Sequence, residues 1–102
     1  PQHPNHEVAR RQMSGFGGMV SFRLKEGNRE SVNAFVKKLK VFSLADSLGG
    51  VESLVCFPIV MTHDAVPEKQ RLELGITGDL LRLSIGIEGI DDLLADLKQA
   101  LA

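Results

Sequence analysis

The sequence predicts a two-layer α/β (α+β) domain, with a small, mostly antiparallel sheet of about four strands and helices packed on one face. Three observations carry this. Apolar and polar residues alternate along residues 19–24 and 81–88, the period of a half-buried strand. Val32, Phe35, Val36 and Leu39 recur at i, i+3, i+4 and i+7, as do Ile90, Leu93, Leu94, Leu97 and Leu101 near the end, which is one helical face each. Glycine pairs and Asn/Asp-Gly clusters punctuate the segments between.

Taken in order, residues 1–14 are a polar lead-in with Pro1, Pro4, His3 and His6, extended at first with a short helix possible from Glu7. Ser14 to Gly18 is a turn. Val20, Phe22 and Leu24 then share one face of a strand, with Ser21 and Arg23 on the other. Asn28 is a suitable N-cap for the next helix, and Lys37, Lys38 and Lys40 suit its C-terminal end, where cations are favoured. Residues 41–45 and 52–58 read as short strands around a loop at Asp46-Ser47-Leu48-Gly49-Gly50, the second closed by Pro58. Pro67 suits the first turn of a helix over residues 68–74, with Gly75 just past its end. After a turn at Thr77-Gly78-Asp79 come the clearest strand, residues 81–88, and the last helix, whose Asp91 and Asp92 sit at the favourable N-terminal end. The order is β-α-β-β-α-β-α.

With 102 residues the chain forms one small domain spanning residues 1–102. A net charge of -1 with both signs mixed leaves no basic block for nucleic acid or an anionic membrane, and no apolar run approaches a membrane span. The single cysteine, Cys56, excludes an internal disulfide and fits a reducing, cytoplasmic location; set in Leu54-Val55-Cys56-Phe57, it reads as a small core residue. The opening Pro1-Gln2-His3-Pro4 reads as a cut inside a longer chain.

Few residues are placed for chemistry. Arg82 lies mid-strand, opposite Leu81, Leu83 and Ile85, beside the small Ser84 and Gly86. Its planar fork of donors matches a carboxylate. On pattern alone, a solvated strand face or an ion pair with Glu88 is the favoured reading. The Gly49-Gly50 loop allows close backbone approach to a ligand, or is simply a tight turn. Ser47 has no His/Asp partner arrangement for a hydrolase nucleophile. His63 has no second His or Cys at ligand spacing, so no metal is expected. No lysine sits in an evident cofactor-linking context.

Four stretches, Gly15-Phe16-Gly17-Gly18-Met19-Val20-Ser21-Phe22, Ser43-Leu44-Ala45-Asp46-Ser47-Leu48-Gly49-Gly50-Val51-Glu52-Ser53-Leu54, Met61-Thr62-His63 and Leu81-Arg82-Leu83-Ser84-Ile85-Gly86-Ile87-Glu88, occur in this order. Together they make the chain similar to the pyridoxal-phosphate (PLP) enzymes of Cys/Met metabolism, over nearly its whole length. That family includes cystathionine gamma-synthase, cystathionine beta-lyase and the gamma-lyases. The resemblance implies the small C-terminal domain of a fold-type I PLP-dependent transferase, without the N-terminal cofactor domain and its lysine. It implies that Arg82 binds the substrate α-carboxylate, that Ser47, Leu48 and Gly49 form the active-site wall, that Asp46 lies near the substrate's distal end, and that Thr62 lines the cleft. In the parent, elimination or replacement at the β or γ carbon of a sulfur amino acid is expected. The parent is expected to be a homo-oligomer, and this chain alone to be inactive and to bind no PLP. A stand-alone, ferredoxin-like amino-acid-binding or regulatory module is the alternative.

Overall fold

The computed structural model describes residues 1–25, 27–61 and 63–102. Among them the order is α1 (His6–Gln12), β1 (Met19–Arg23), α2 (Arg29–Lys38), β2 (Ser43–Leu44), β3 (Leu54–Cys56), α3 (Pro58–Met61), α4 (Glu68–Glu73), β4 (Leu80–Ser84) and α5 (Ile90–Leu101). The sheet order is β1-β4-β3-β2. β4 pairs antiparallel with both β1 and β3, and β2 joins β3 in parallel. The sheet is therefore mixed and mostly antiparallel, as the alternation predicts.

The face bearing Val55, Leu81 and Leu83 is the core side. It packs with Val32 and Phe35 of α2, Leu93 and Ala100 of α5, and Phe42 and Phe57 from the connections. Phe22 of β1 closes one end by an edge-to-face contact with Phe35, with ring centroids 6.0 Å apart. Val20 points to the same side but stays exposed, because β1 is an edge strand running past the helical layer.

α2 starts where the sequence places it: the Asn28 side chain accepts a hydrogen bond from the Ser31 N–H at 2.8 Å. Gly75 follows α4 at φ +75°, the left-handed conformation that glycine adopts most cheaply. Pro67 lies one position earlier than expected, as the N-cap of α4.

Four expectations change. The strand expected over residues 41–45 shrinks to Ser43–Leu44 because the preceding backbone is claimed elsewhere. Asp96 of α5 accepts the N–H groups of Lys40 (2.8 Å), Val41 (2.8 Å) and Phe42 (3.1 Å), which therefore pair with a carboxylate rather than with a strand. The strand expected over residues 52–58 is Leu54–Cys56, and Pro58 opens α3 instead of closing the strand; proline fits a first helical turn, where its missing N–H is not needed. The last strand ends at Ser84, although Ile85 N–H still reaches Gly18 and Ile87 N–H reaches Val51.

The expected apolar stripe of α5 is only half right. Leu93 is buried, but Ile90, Leu94 and Leu101 are 63%, 56% and 60% exposed, and the inward face is completed by Asp96 and Ala100. The Asp96 carboxylate turns inward because three backbone donors await it there.

Candidate active site

β4 is an interior strand, so its residues are held from both sides. Arg82 lies opposite Ser21 of β1 and Cys56 of β3. Leu81 and Leu83 face the helices, so Arg82 projects from the other side of the sheet, away from the core.

The guanidinium reaches across to the diglycine loop, 36 residues away in sequence. Its Nη2 donates to the carbonyl oxygens of Asp46 (3.2 Å) and Ser47 (3.4 Å). Its Nε is buried and makes no hydrogen bond among the described residues. A buried donor without a partner carries a desolvation penalty of about 1–3 kcal/mol. Two loop carbonyls thus fix one corner of the fork and leave other donors for an acid group.

The ion pair between Arg82 and Glu88 that the strand pattern allowed does not form. Glu88 binds Ser53 instead, accepting its N–H at Oε1 (2.8 Å) and its hydroxyl at Oε2 (2.7 Å). The Ser53 backbone N–H, then its hydroxyl, hold the Glu88 carboxyl below its ordinary value of 4.5. The same hydroxyl accepts the Gly86 N–H at 2.8 Å.

Ser84, two residues beyond Arg82 on the same face, is buried, and its Oγ accepts the Gly49 N–H at 2.8 Å. Sequence reading treated Ser84 only as a small neighbour and did not single out Ser53; neither can be found by motif, because their roles depend on a loop folded back beside β4.

The loop itself is open. Asp46, Ser47, Leu48, Gly49 and Gly50 are all exposed, with Leu48 at 55% and Val51 at 69%. Gly49 has φ +74°, so the turn beside Ser47 needs glycine there. Arg82, Asp46, Ser47 and Gly49 are therefore brought together, with Leu48 on the same exposed loop. Thr62 lies outside the described residues.

Gly86 is required for want of space. An added Cβ would come within 2.6 Å of the Glu52 carbonyl carbon and 2.7 Å of Glu88 Oε2, and closer still to the Val51 carbonyl oxygen. Backbone cannot yield as a side-chain tip can. Gly86→Ala is expected to cost about 1–3 kcal/mol of stability and to displace the loop. Chemical denaturation checks the first, and faster amide exchange over residues 49–53 checks the second.

Among the described residues no group of three His, Cys, Asp or Glu side chains is placed to hold a metal, and no helix is long and apolar enough to cross a membrane. All six lysines are exposed.

The family model described as Cys/Met metabolism PLP-dependent enzyme matches residues 1–102. The chain is 55% identical over 101 residues to cystathionine gamma-lyase of Dictyostelium discoideum, covering 99% of this chain and 26% of the relative. It is 56% identical over 99 residues to cystathionine beta-lyase of Lactococcus lactis subsp. cremoris (strain MG1363), covering 97% and 26%. The solved structure of cystathionine gamma synthase from Xanthomonas oryzae pv. oryzae in complex with cystathionine superimposes with a TM-score of 0.91 at 53% identity, over 98% of this chain and 26% of that one. The chain thus spans about a quarter of the length of the relatives it matches. With the family model matching from end to end and relatives above half identity, the chain belongs to the Cys/Met-metabolism PLP-dependent enzymes.

Proposed function

We propose that the chain is the C-terminal domain of a PLP-dependent trans-sulfuration enzyme, acting on sulfur amino acids by elimination or replacement at the β or γ carbon, and that Arg82 grips the substrate α-carboxylate. The observation that carries this is the Arg82 side chain itself. It projects from the face of an interior strand opposite Leu81 and Leu83, with Nη2 on two loop carbonyls and Nε buried without a hydrogen-bond partner among the described residues. Relatives named gamma-lyase, beta-lyase and gamma synthase match 97–99% of the chain, so the features of this segment suit a task common to all three.

The residues present fit the substrate side of such a site. None of the six lysines, all exposed, is given the cofactor-linking role, which this reading assigns to the part of the protein outside these 102 residues. The chemistry the cofactor supplies when bound is stabilisation of negative charge at the substrate α-carbon. This chain's part is orientation: a two-pronged grip on the acid group restricts rotation of the substrate and presents one α-bond for cleavage. Misplacement by about 1 Å costs on the order of 100-fold in rate. Ser47, Leu48 and Gly49 form the wall beside the grip, with Asp46 toward the substrate's distal end. A cytoplasmic, homo-oligomeric parent completes the reading.

The test uses two preparations. The whole protein carrying this chain, loaded with PLP, is expected to cleave L-cystathionine or to form it from an activated homoserine and cysteine; absence of both activities overturns the proposal. The 102-residue chain alone is expected to show no turnover and no heat of binding with L-cystathionine. Tight binding by the chain alone would instead support a stand-alone amino-acid-binding module.

A further inference from the structure

We propose that Glu88, together with Ser84, is a positioning residue that sets the spacing between Arg82 and the Ser47–Gly49 wall; this rests on the reading of Arg82 as the carboxylate grip. The loop joining β2 to β3 has no secondary structure of its own, and residues 46–52 are all exposed. Apolar packing therefore does little to hold it. What holds it is a line of polar fastenings along one side of β4 and its exit.

Residues 82, 84 and 86 alternate, so their α-carbons present the same face. They meet the loop in matching order. Arg82 donates to the carbonyls of Asp46 and Ser47, Ser84 accepts from Gly49, and Gly86 donates to Ser53. Just past Gly86, Ile87 N–H donates to the Val51 carbonyl at 2.8 Å. The line ends at Glu88, whose carboxylate takes both donors of the fully buried Ser53.

Ser53 is the far anchor of the loop, immediately before β3. Its hydroxyl accepts from Gly86 while its own proton is held on Glu88, which leaves a lone pair turned to the Gly86 N–H. Glu88 thus orients the hydroxyl, the hydroxyl secures Gly86, and Gly86 brings the loop close enough for Ser84 to catch Gly49. Releasing Glu88 frees the loop from its far end, and the carbonyls that hold the Arg82 guanidinium move with it. Glu88 touches neither ligand nor cofactor in this scheme; it acts through the loop.

The test uses the whole PLP-loaded protein and two probes: L-alanine, an amino acid with no leaving group at its β or γ carbon, and ethylamine, which has the same skeleton without the carboxylate. Affinities come from calorimetry, and loop order from amide hydrogen exchange over residues 45–53. Glu88→Ala is expected to accelerate exchange in the loop and to weaken L-alanine about 10-fold relative to ethylamine. Glu88→Gln, which keeps an acceptor oxygen, is expected to restore part of that ratio. If Glu88→Ala leaves loop exchange unchanged, or weakens both probes equally, the positioning role is overturned. Should Glu88→Ala fail to fold, Ser84→Ala carries the same test, and an unchanged ratio there overturns it. Arg82→Ala separates the two readings: if it does not lower the L-alanine to ethylamine ratio, the carboxylate grip itself is wrong, whatever Glu88 does.

Discussion

Arg82→Ala in the whole PLP-loaded protein is expected to lower kcat/KM for an amino-acid substrate by roughly 10²–10³-fold, the loss that follows truncating one partner of a charge-assisted pair. The size comes from the setting. Arg82 stands on a strand held on both sides, so its position needs no ordering when substrate arrives. Its Nη2 is already engaged by two carbonyls, which fixes the plane of the fork. Arg82→Lys keeps the charge but replaces a planar fork with a point charge on a flexible stem, so it is expected to recover only part of the loss. Steady-state kinetics check this, with a substrate amide as the control. The wild-type preference for the acid over the amide is expected to collapse in Arg82→Ala, while activity on the amide changes little. Equal loss on acid and amide would show that Arg82 supports the fold and not the substrate.

The second large effect is expected at Asp96. Asp96→Ala is expected to destabilise the 102-residue chain by about 1.5–3 kcal/mol, because it leaves backbone donors without their charged acceptor. For a domain of this size that lowers the unfolding midpoint by roughly 10 °C, read by circular dichroism. Burial raises the Asp96 carboxyl pKa, but the N–H groups of Lys40, Phe42 and Val41, with the Gln99 side chain, outweigh it and hold the group below its ordinary 3.8. The sign follows from linkage. A folded-state value below the unfolded one means that the contribution is complete above the unfolded value and is lost as pH falls through the folded one. Acid stability below about pH 4 is therefore expected to depend on Asp96. In Asp96→Asn the melting temperature is expected to fall less steeply with acid than in the wild type, starting from a lower value at neutral pH. A parallel pH profile in the two proteins would remove Asp96 from the account.

These two residues show how differently the chain discloses itself. Arg82 was conspicuous in sequence, mid-strand between small neighbours and inside a motif similar to a known family. Asp96 was not conspicuous, because an acidic residue in an amphipathic helix reads as part of the solvated side. Helical periodicity locates a stripe but does not say which polar residue will be drawn inward by donors elsewhere in the chain.

The sequence by itself determined the elements whose signals are local. α2 has its Asn28 cap and repeating apolar face, and β1 and β4 have strict alternation. Gly75 ends α4 in a conformation that costs glycine little. Each rests on steric and burial preferences acting over a few residues. The tertiary structure decided what depends on distant partners. The sheet order β1-β4-β3-β2 sets β4 at the centre, and Asp96 shortens β2 by taking the N–H groups before it. Arg82 meets carbonyls 35 and 36 residues away, and Glu88 turns to Ser53 instead of to Arg82. A hydrogen bond between residues far apart in sequence exists only after the chain has folded back on itself, and no local pattern encodes which of several available donors a carboxylate will take.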